Sequence, residues 1–532
     1  MKKLKLMIVM AGALVGTATL NAQSLYDTNR LMGSDLNGTA RFVGMGGAMG
    51  ALGGDISTMG TNPAGIGIYR GNDAMVSFGF SNLGSKSAFG NSTTSVDKFR
   101  GSFDNAGFVF SSRIGNQTAL RFVNFGFNYH KVKSFDKNMA MSGVFGASQT
   151  EEFANLLNDN SAAYGGFMTP DMLMDKGAFT NPEVPWLGAL AYESNLVRAV
   201  KNADGSEYYL PYFLPDNKVN GMYRSKESGG LHEYDFNVAF NFYDRFYVGA
   251  TVGVYSVDYT RNSTYSETFI QSNGEAEGDY QLRNNYRLDG SGVDFKLGFI
   301  LRPFENSPLR IGGAIHTPTY YNLREYQMAF LDYYTFNEEK DEFVGGTAFP
   351  QNSNGGEMES DTEYNMVTPW KFNLSLGYTI GKNVALGAEY EYSDYSAAKV
   401  KYDDGVTNDF ETDGVKAYLK GVNTLRLGAE IKLAPEFAFR VGYNHITASI
   451  DGDAYKALSL NSVRTDTEYS NGKAMNNYTL GFGYRGSMFY ADMAYQYNTY
   501  KEDFYAFNIE TLPATQITNN NHKVVFTLGM RF

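Results

Sequence analysis

The sequence contains no cysteine. The chain can therefore form no disulfide, carry no thiolate nucleophile, bind no metal through sulfur and attach no lipid to a cysteine behind an export signal. Histidine is scarce as well, since the five histidines lie far apart and have no paired metal-binding spacing. We therefore expect no metal site and no cofactor.

Basic charge and catalytic motifs are also in short supply. The chain has 45 basic and 57 acidic residues, a balance that excludes the basic footprint of a nucleic-acid-binding protein. The sequence shows no nucleophile elbow and no recognisable grouping of a base, a nucleophile and an orienting residue. We expect neither a nucleic-acid partner nor enzymatic activity.

Long hydrophobic runs are confined to the amino terminus. An apolar run from Leu6 to Leu20 follows Lys2, Lys3 and Lys5, and it is too short to cross a bilayer comfortably. This pattern is typical of a secretory signal peptide, which we assign to residues 1–22. The mean hydropathy of the whole chain is −0.34, which excludes a helical membrane bundle.

Aromatic residues and glycine are abundant, with 39 Tyr, 39 Phe and 58 Gly. From Ala74 to the carboxyl terminus, apolar and polar side chains alternate with a period of two. In the last segment Val524 and Phe526 share one face, whereas Lys523 and Thr527 share the other. One face suits lipid and the other suits water, as in an outer-membrane β-barrel.

The alternation predicts about fourteen strands, an even number as expected of a single-chain antiparallel barrel. Short turns and long links alternate between them, which is typical of periplasmic turns and extracellular loops. The barrel as a whole is expected over residues 73–532. The predicted strands are 74–81, 105–114, 120–131, 233–243, 245–259, 287–302, 308–319, 368–380, 383–395, 421–433, 436–447, 476–485, 487–497 and 522–532.

The longest predicted extracellular loop covers about residues 134–232 and contains helical patterns. Two interpretations of its apolar faces remain open. The helices could pack on each other and cover the barrel, or they could line a docking groove for an apolar ligand. The candidate docking residues are Phe153, Leu156, Leu157, Trp186, Leu187 and Leu190.

Residues 23–72 differ in kind from the predicted strands. They are rich in glycine, alanine and methionine and lack the period-two pattern, and they are too apolar for a solvated tail. A compact segment attached to the first strand can reach the barrel lumen, where small residues allow close backbone packing. We expect this segment to plug the lumen.

Several motifs resemble the FadL/TodX family of outer-membrane transporters for long-chain fatty acids and other hydrophobic compounds. The run from Ala40 to Ala48 and the triplet Asn62-Pro63-Ala64 are similar to the amino-terminal hatch of that family. Further similarities are Thr368-Pro369-Trp370-Lys371, the run from Asn423 to Gly428, the run from Arg440 to Tyr443, and the final aromatic residue. The resemblance implies a fourteen-stranded barrel closed by a hatch, with Gly46, Gly47, Asn62, Pro63 and Ala64 as candidate gate residues.

Charged side chains on the predicted lumenal face leave two interpretations open. Arg426 and Arg440 could pair with acidic residues across the barrel and stabilise it. Either arginine could instead bind the carboxylate of a cargo molecule.

The leading hypothesis is uptake of a hydrophobic small molecule, such as a long-chain fatty acid, gated by the hatch. The alternatives are an adhesin or structural protein whose loops bind a partner, and a general porin, although an open pore has no use for a plug. The expected location is the outer membrane of a Gram-negative-type bacterium, in contact with membrane lipid and lipopolysaccharide. The terminal Phe532 is expected to be read by the barrel-assembly machinery.

Overall fold

The structure is a computed structural model that describes residues 25–163, 168–213, 217–271, 274, 276–338 and 340–532. The signal peptide expected at residues 1–22 lies outside the described residues.

A closed wall of antiparallel strands dominates the fold. Each wall strand pairs with the next along the chain, and the first pairs with the last, so that the ring closes. In the described part of the chain the wall has fourteen strand positions, which confirms the predicted number. The strands are β1 (Asp73–Phe89), β2 (Ser92–Arg113), β3 (Leu120–Ser134), β4 (Lys137–Phe145), β5 (Val197–Lys201), β6 (Glu207–Pro211), β7 (Lys218–Phe242), β8 (Phe246–Ile270), β9 (Ala276–Leu301), β10 (Arg310–His316), β11 (Tyr320–Asn337), β12 (Glu342–Ala348), β13 (Ser360–Val367), β14 (Lys371–Ile380), β15 (Val384–Asp394), β16 (Lys399–Tyr402), β17 (Gly421–Lys432), β18 (Phe437–Ile446), β19 (Tyr469–Arg485), β20 (Phe489–Tyr505) and β21 (Thr515–Arg531).

Helices lie inside the wall and above it. The α-helices are α1 (Leu25–Met32), α2 (Ala40–Gly44), α3 (Gln149–Ala163), α4 (Pro170–Met174), α5 (Trp186–Glu193) and α6 (Asp409–Tyr418). Short 3-10 helices cover Ile56–Gly60, Pro63–Ile68, Ala178–Thr180 and Tyr395–Ala397. Among the described residues, no helix is both long enough and apolar enough to cross a bilayer.

Four wall positions are built from two consecutive strands separated by a short break. Strands β3 and β4 both pair with β7, and β10 and β11 both pair with β9. Strands β13 and β14 likewise continue one another, as do β15 and β16. Two of the breaks contain Pro318 and Pro369, which have no backbone N–H to donate to a ladder. Because the two strands of each pair follow one another along the same line of the wall, each pair counts as one position in the ring.

Side-chain exposure alternates along the wall as the sequence pattern predicts. Leu425 and Leu427 on β17 are 41% and 42% exposed, whereas Arg426 between them is 7% exposed. The outer face is a belt of leucine, phenylalanine, valine and tyrosine side chains, and the inner face is polar. A closed antiparallel barrel with an apolar outer belt is the architecture of an outer-membrane protein, and it places this chain in the outer membrane.

The extracellular half differs from the expected short strands and long loops. Strands β7, β8 and β9 have 25, 25 and 26 residues, so the wall continues well beyond the bilayer. Of the loop expected at 134–232, residues 137–145 and 218–232 belong to wall strands instead. The link expected at 82–104 is also strand, because β1 and β2 meet at a tight turn at Gly90. Above the membrane each face of the wall meets water or packed protein and not lipid. The alternation of apolar and polar residues that marks a strand in the sequence is therefore weak there.

The outer belt gives a direct test of the wall. Leu480 on β19 is 49% exposed and faces lipid in the membrane-spanning half of the strand, so Leu480→Lys is expected to cost roughly 2 to 4 kcal/mol and to lower the yield of assembled barrel. Val406→Lys is the matched control, because Val406 is 59% exposed in an extracellular loop. Heat-modifiable migration of outer-membrane fractions measures assembly, and equal yields of the two variants would contradict this orientation.

Candidate functional site: the N-terminal segment in the lumen

Residues 25–72, called the N-terminal segment below, run through the barrel lumen. At its extracellular end Asp27 on α1 accepts a hydrogen bond from Nη1 of Arg464 at 2.8 Å, and Arg464 belongs to the loop between β18 and β19. At its periplasmic end the backbone of Asn72 exchanges hydrogen bonds with Phe532, at 3.0 and 3.2 Å. The segment therefore spans the lumen from the extracellular loops to the periplasmic rim.

The extracellular end of the segment packs into the loops as well as pairing with them. Leu25 and Met32 of α1 lie in one apolar cluster with Val415 and Tyr418 of α6. The hydroxyl of Tyr395 donates to the backbone carbonyl of Met32 at 2.8 Å. Any displacement of α1 must therefore disturb α6 and the loops beside it.

A row of glycines on the inner wall receives the middle of the segment. Gly377, Gly387, Gly428 and Gly442 stand directly opposite one another on the neighbouring strands β14, β15, β17 and β18. We call these four residues the glycine row. A Cβ atom at any of them would meet atoms of residues 45–52 of the segment. The absence of side chains along this row lets the segment backbone lie against the wall backbone.

The candidate gate residues Gly46 and Gly47 lie at this contact. Gly46 has φ of 61°, a conformation that suits glycine, and a Cβ there would lie 2.8 Å from the backbone nitrogen of Tyr443. Gly47 has φ of 82° and packs beside the side chains of Arg426 and Leu36. Both conformation and backbone contacts therefore restrict position 46 to glycine, and conformation favours glycine at position 47.

Asn62, Pro63 and Ala64 form the second contact with the wall. The Asn62 side chain accepts from the backbone N–H of Ala64 at 3.2 Å and so caps the 3-10 helix Pro63–Ile68. Its amide nitrogen donates to the carbonyl of Gly50 at 2.9 Å and to the carbonyl of Phe299 on β9 at 3.1 Å. Pro63 begins this helix, where its missing N–H is not needed. Asn62 thus joins two parts of the segment to the barrel wall.

The two candidate lumenal arginines are held in ion pairs. Arg426 contacts Glu389 at 2.6 Å and Glu391 at 3.1 Å. Arg440 contacts Glu430 at 2.7 Å and Asp492 at 2.5 Å.

Both ion-pair groups extend into the N-terminal segment. Glu430 also pairs with Arg41 of α2 at 2.9 Å, and Glu389 accepts from the backbone N–H of Gly50 at 2.9 Å. The two arginines therefore tie wall strands to one another, and the carboxylates that they hold bind the segment.

A second charged cluster lies on the inner face of the wall. Lys296 extends its ammonium group among Glu233, Asp235 and Asp294, at 3.1 Å from Asp235 and 3.5 Å from Asp294. The His130 ring contacts two of these carboxylates, with Nε2 at 3.2 Å from Glu233 and Nδ1 at 3.5 Å from Asp235.

Sequence reasoning found no metal ligands, yet within the described residues His130, Glu233 and Asp235 stand close enough to share an ion. The ammonium group of Lys296 occupies the cationic position beside them. The cluster is therefore a set of ion pairs between neighbouring strands. His130 is far from Glu233 and Asp235 in the sequence, so only the strand register could reveal that the three side chains meet.

Cavities remain between the segment and the wall. A central cavity of about 120 Å³ lies between Phe42 and Thr61 of the segment and the wall. A larger cavity of about 390 Å³ lies on the extracellular side of the central cavity and is called the upper cavity. The upper cavity has a mixed lining, with apolar Leu83, Phe135 and Met139 beside charged groups. Those charged groups include Arg30, Lys133, Lys137, Arg261, Glu227 and Glu502.

The six candidate docking residues of the long loop are buried together. Phe153, Leu157, Trp186, Leu187 and Leu190 are fully buried, and Leu156 is 8% exposed. They belong to one apolar core formed by α3, α5 and the upper ends of the wall strands. Any docking role for these side chains would require this core to open.

The same core belongs to a cap that covers the extracellular end of the barrel, and it also encloses polar groups. The Glu152 side chain on α3 accepts from the backbone N–H of Asn508 at 2.9 Å. Burial disfavours its charged form and raises the pKa of Glu152 to about 8. The cap over the barrel is thus a packed structure rather than a set of solvated loops.

Comparison with known proteins gives distant likenesses only. No protein-family model matches the chain, and no curated protein does. It is similar to the crystal structure of a Pseudomonas aeruginosa FadL homologue, with 13% identity, a TM-score of 0.49, and coverage of 94% of this chain and 99% of that one. For the toluene transporter TodX of P. putida the identity is 10% and the TM-score 0.46, with coverage of 94% of this chain and 99% of that one. For the Ralstonia pickettii toluene transporter TbuX the identity is 12% and the TM-score 0.45, with coverage of 93% of this chain and 99% of that one. At these identities and scores, the contacts described above remain the basis for assigning a function.

Proposed function

We propose that this protein takes up a small molecule with an apolar body and a polar head across the outer membrane, with the N-terminal segment as the hatch. The observation that carries the proposal is the passage of residues 25–72 through the lumen of a closed wall, held by the glycine row and by Asn62. A barrel that served only as an anchor needs no such segment inside it. A porin needs an open lumen.

The contacts of the segment suit a part that moves. Its polar contacts with the wall include those of Arg41, Gly50 and Asn62. Its apolar contacts with the wall are divided among small separate clusters. Water can replace polar contacts at small net cost, whereas a fully apolar contact of this size would resist separation. An interface divided among polar contacts and small apolar clusters therefore permits opening without unfolding the barrel.

The upper cavity supports the cargo class. Its mixed lining offers apolar surface to a hydrocarbon body and charged groups to a polar head. A fatty acid has this character, and so do other amphiphiles.

Uptake by cells tests the proposal. The protein is produced in a host that lacks its own outer-membrane route for hydrophobic compounds, and cells receive radiolabelled oleate, toluene or arabinose. We expect faster uptake of oleate and unchanged uptake of arabinose, whereas faster uptake of toluene alone would contradict the polar head. Equal acceleration of all three would indicate a porin, and no acceleration of any would favour the surface-binding alternative.

A variant pair connects uptake to the cavity. Leu83 lines the upper cavity from β1, so Leu83→Trp is expected to narrow it and to reduce uptake several-fold. Val406→Trp adds the same ring to an exposed loop outside the lumen and is expected to leave uptake unchanged. Equal uptake by both variants would remove the upper cavity from the route.

A further inference from the structure

The periplasmic mouth of the lumen is strongly basic. A cavity of about 820 Å³, called the vestibule below, opens there between the N-terminal segment and the wall. Glu430 is the acidic side chain in its lining. The basic side chains in its lining are Arg41, Arg70, Arg310, Lys382, Lys432, Arg485 and Arg531. The whole chain has more acidic than basic residues, so this local excess does not follow from composition.

Four wall strands contribute to the vestibule in the same way. Arg310 begins β10, and Lys432, Arg485 and Arg531 end β17, β19 and β21. Each of them lies an even number of residues from the inward-facing side chains of its strand, as Lys432 lies two residues after buried Glu430. Side chains two residues apart in a strand point to the same face. These cations therefore point into the mouth of the lumen and not toward the membrane.

Three of the basic residues have acidic partners. Arg41 pairs with Glu430 at 2.9 Å and Arg70 with Asp244 at 2.7 Å. Arg531 pairs with Asp73 at 3.1 Å.

The remaining cations leave the vestibule positive. Arg310 donates to the backbone carbonyl of Leu52 at 2.6 Å, which satisfies a hydrogen bond but neutralises no charge. Across the described ranges, no carboxylate lies within 4 Å of the charged groups of Arg310, Lys382, Lys432 or Arg485. Four like charges around one cavity repel each other, and an anion between them would relieve that repulsion.

We propose that the vestibule is a binding site for a small multivalent oxyanion from the periplasm, a molecule that carries phosphate or several carboxylate groups. Guanidinium groups bind such oxygens in a bidentate manner, and lysines add point charges. Arg41 and Arg70 belong to the N-terminal segment, whereas Arg310, Lys432 and Arg485 belong to the wall or its edge. A bound anion therefore bridges the two and holds the segment in place from the periplasmic side.

The direction of the side chains favours a soluble anion over a lipid. Headgroups of the inner leaflet surround the outside of the barrel, whereas these cations surround the inside of its mouth. The inference does not depend on which cargo the barrel carries, nor on whether it carries one.

Titration calorimetry tests the site with pyrophosphate as the probe. The full-length protein is purified in a non-ionic detergent and titrated at low ionic strength, where surface charges are little screened. We expect saturable binding of one pyrophosphate per barrel, weakened strongly by added sodium chloride. In the double variant Lys432→Gln/Arg485→Gln the affinity is expected to fall at least tenfold, because two of the four unpartnered cations are lost.

Two control variants separate charge from fold. Lys399→Gln/Lys416→Gln removes two exposed extracellular lysines and is expected to leave the affinity unchanged. Lys432→Arg/Arg485→Lys keeps both charges and is expected to retain binding. Heat-modifiable migration verifies that each variant is folded.

Three results would overturn the proposal. The first is the absence of saturable binding to the wild type, and the second is an equal loss of affinity in the two glutamine double variants. The third is the loss of pyrophosphate binding in nanodiscs that contain phosphatidylglycerol, which would assign the cations to lipid headgroups. None of these results bears on uptake of the cargo, so failure here is distinguishable from failure of the proposed function.

Discussion

Deletion of residues 25–60 is expected to leave a folded barrel with a much higher ion conductance. The wall begins at Asp73 and closes through β1 and β21, so its hydrogen-bond ladder does not include the deleted residues. Without the segment, water fills a lumen whose inner face is polar. We expect single-channel conductance in planar bilayers to rise roughly tenfold or more, since barrels of similar or slightly larger strand number have water-filled lumens when unplugged.

The same deletion is expected to abolish selective uptake. A lumen filled with water admits arabinose and offers no enclosed cavity to an apolar cargo, so the difference in uptake between oleate and arabinose should disappear. Wild-type barrels reconstituted in parallel are the control, and heat-modifiable migration verifies folding. A deletion variant with wild-type conductance and wild-type uptake would show that the segment is not the hatch.

The second large effect is expected from Gly442→Val in the glycine row. A Cβ at Gly442 would collide with the backbone of Gly46 and Met45. Backbone atoms of a neighbouring segment cannot rotate away as a side chain can, so the segment must leave the wall. We expect higher conductance and faster protease cleavage within residues 33–50, with the wall still assembled.

Gly472→Val is the matched control for this substitution. Gly472 also lies in a wall strand, on β19, but a Cβ there would meet no atom within 4 Å. Gly481→Ala offers a milder test, because its Cβ would lie 3.2 Å from the Cα of Gly44. If Gly442→Val and Gly472→Val show the same conductance and cleavage, the glycine row does not hold the segment.

The membrane-spanning part of the wall could be predicted because lipid and water select opposite residue types on its two faces. The prediction of a strand at 421–433 matches Gly421–Lys432, and that at 436–447 matches Phe437–Ile446. The upper halves of β1, β2 and β7 were missed, since above the bilayer neither face meets lipid. Strand continuation there depends on pairing with a neighbour, which local sequence does not reveal.

The candidate site was only partly predictable for a similar reason. Asn62 before Pro63 predicts a capped turn, and the structure has one. The wall carbonyl of Phe299 that Asn62 also binds depends on how the segment sits in the lumen. The glycine row left a signal that could have been used, because Gly377, Gly387, Gly428 and Gly442 all have inward parity. Their alignment becomes visible only after the register of four strands is known.

The pairing of the first and last wall strands has a consequence for the order of assembly. Asp73 on β1 stands opposite Arg531 on β21, so this seam joins residues from the two ends of the chain and is the least local pairing in the wall. The N-terminal segment continues directly into β1, and its far end is bound among the extracellular loops through Asp27. Once the seam is shut, the segment could reach those loops only by threading lengthwise through a narrow lumen. We therefore expect that the barrel closes around the segment during insertion, and that a barrel whose seam closes first retains an unplugged lumen.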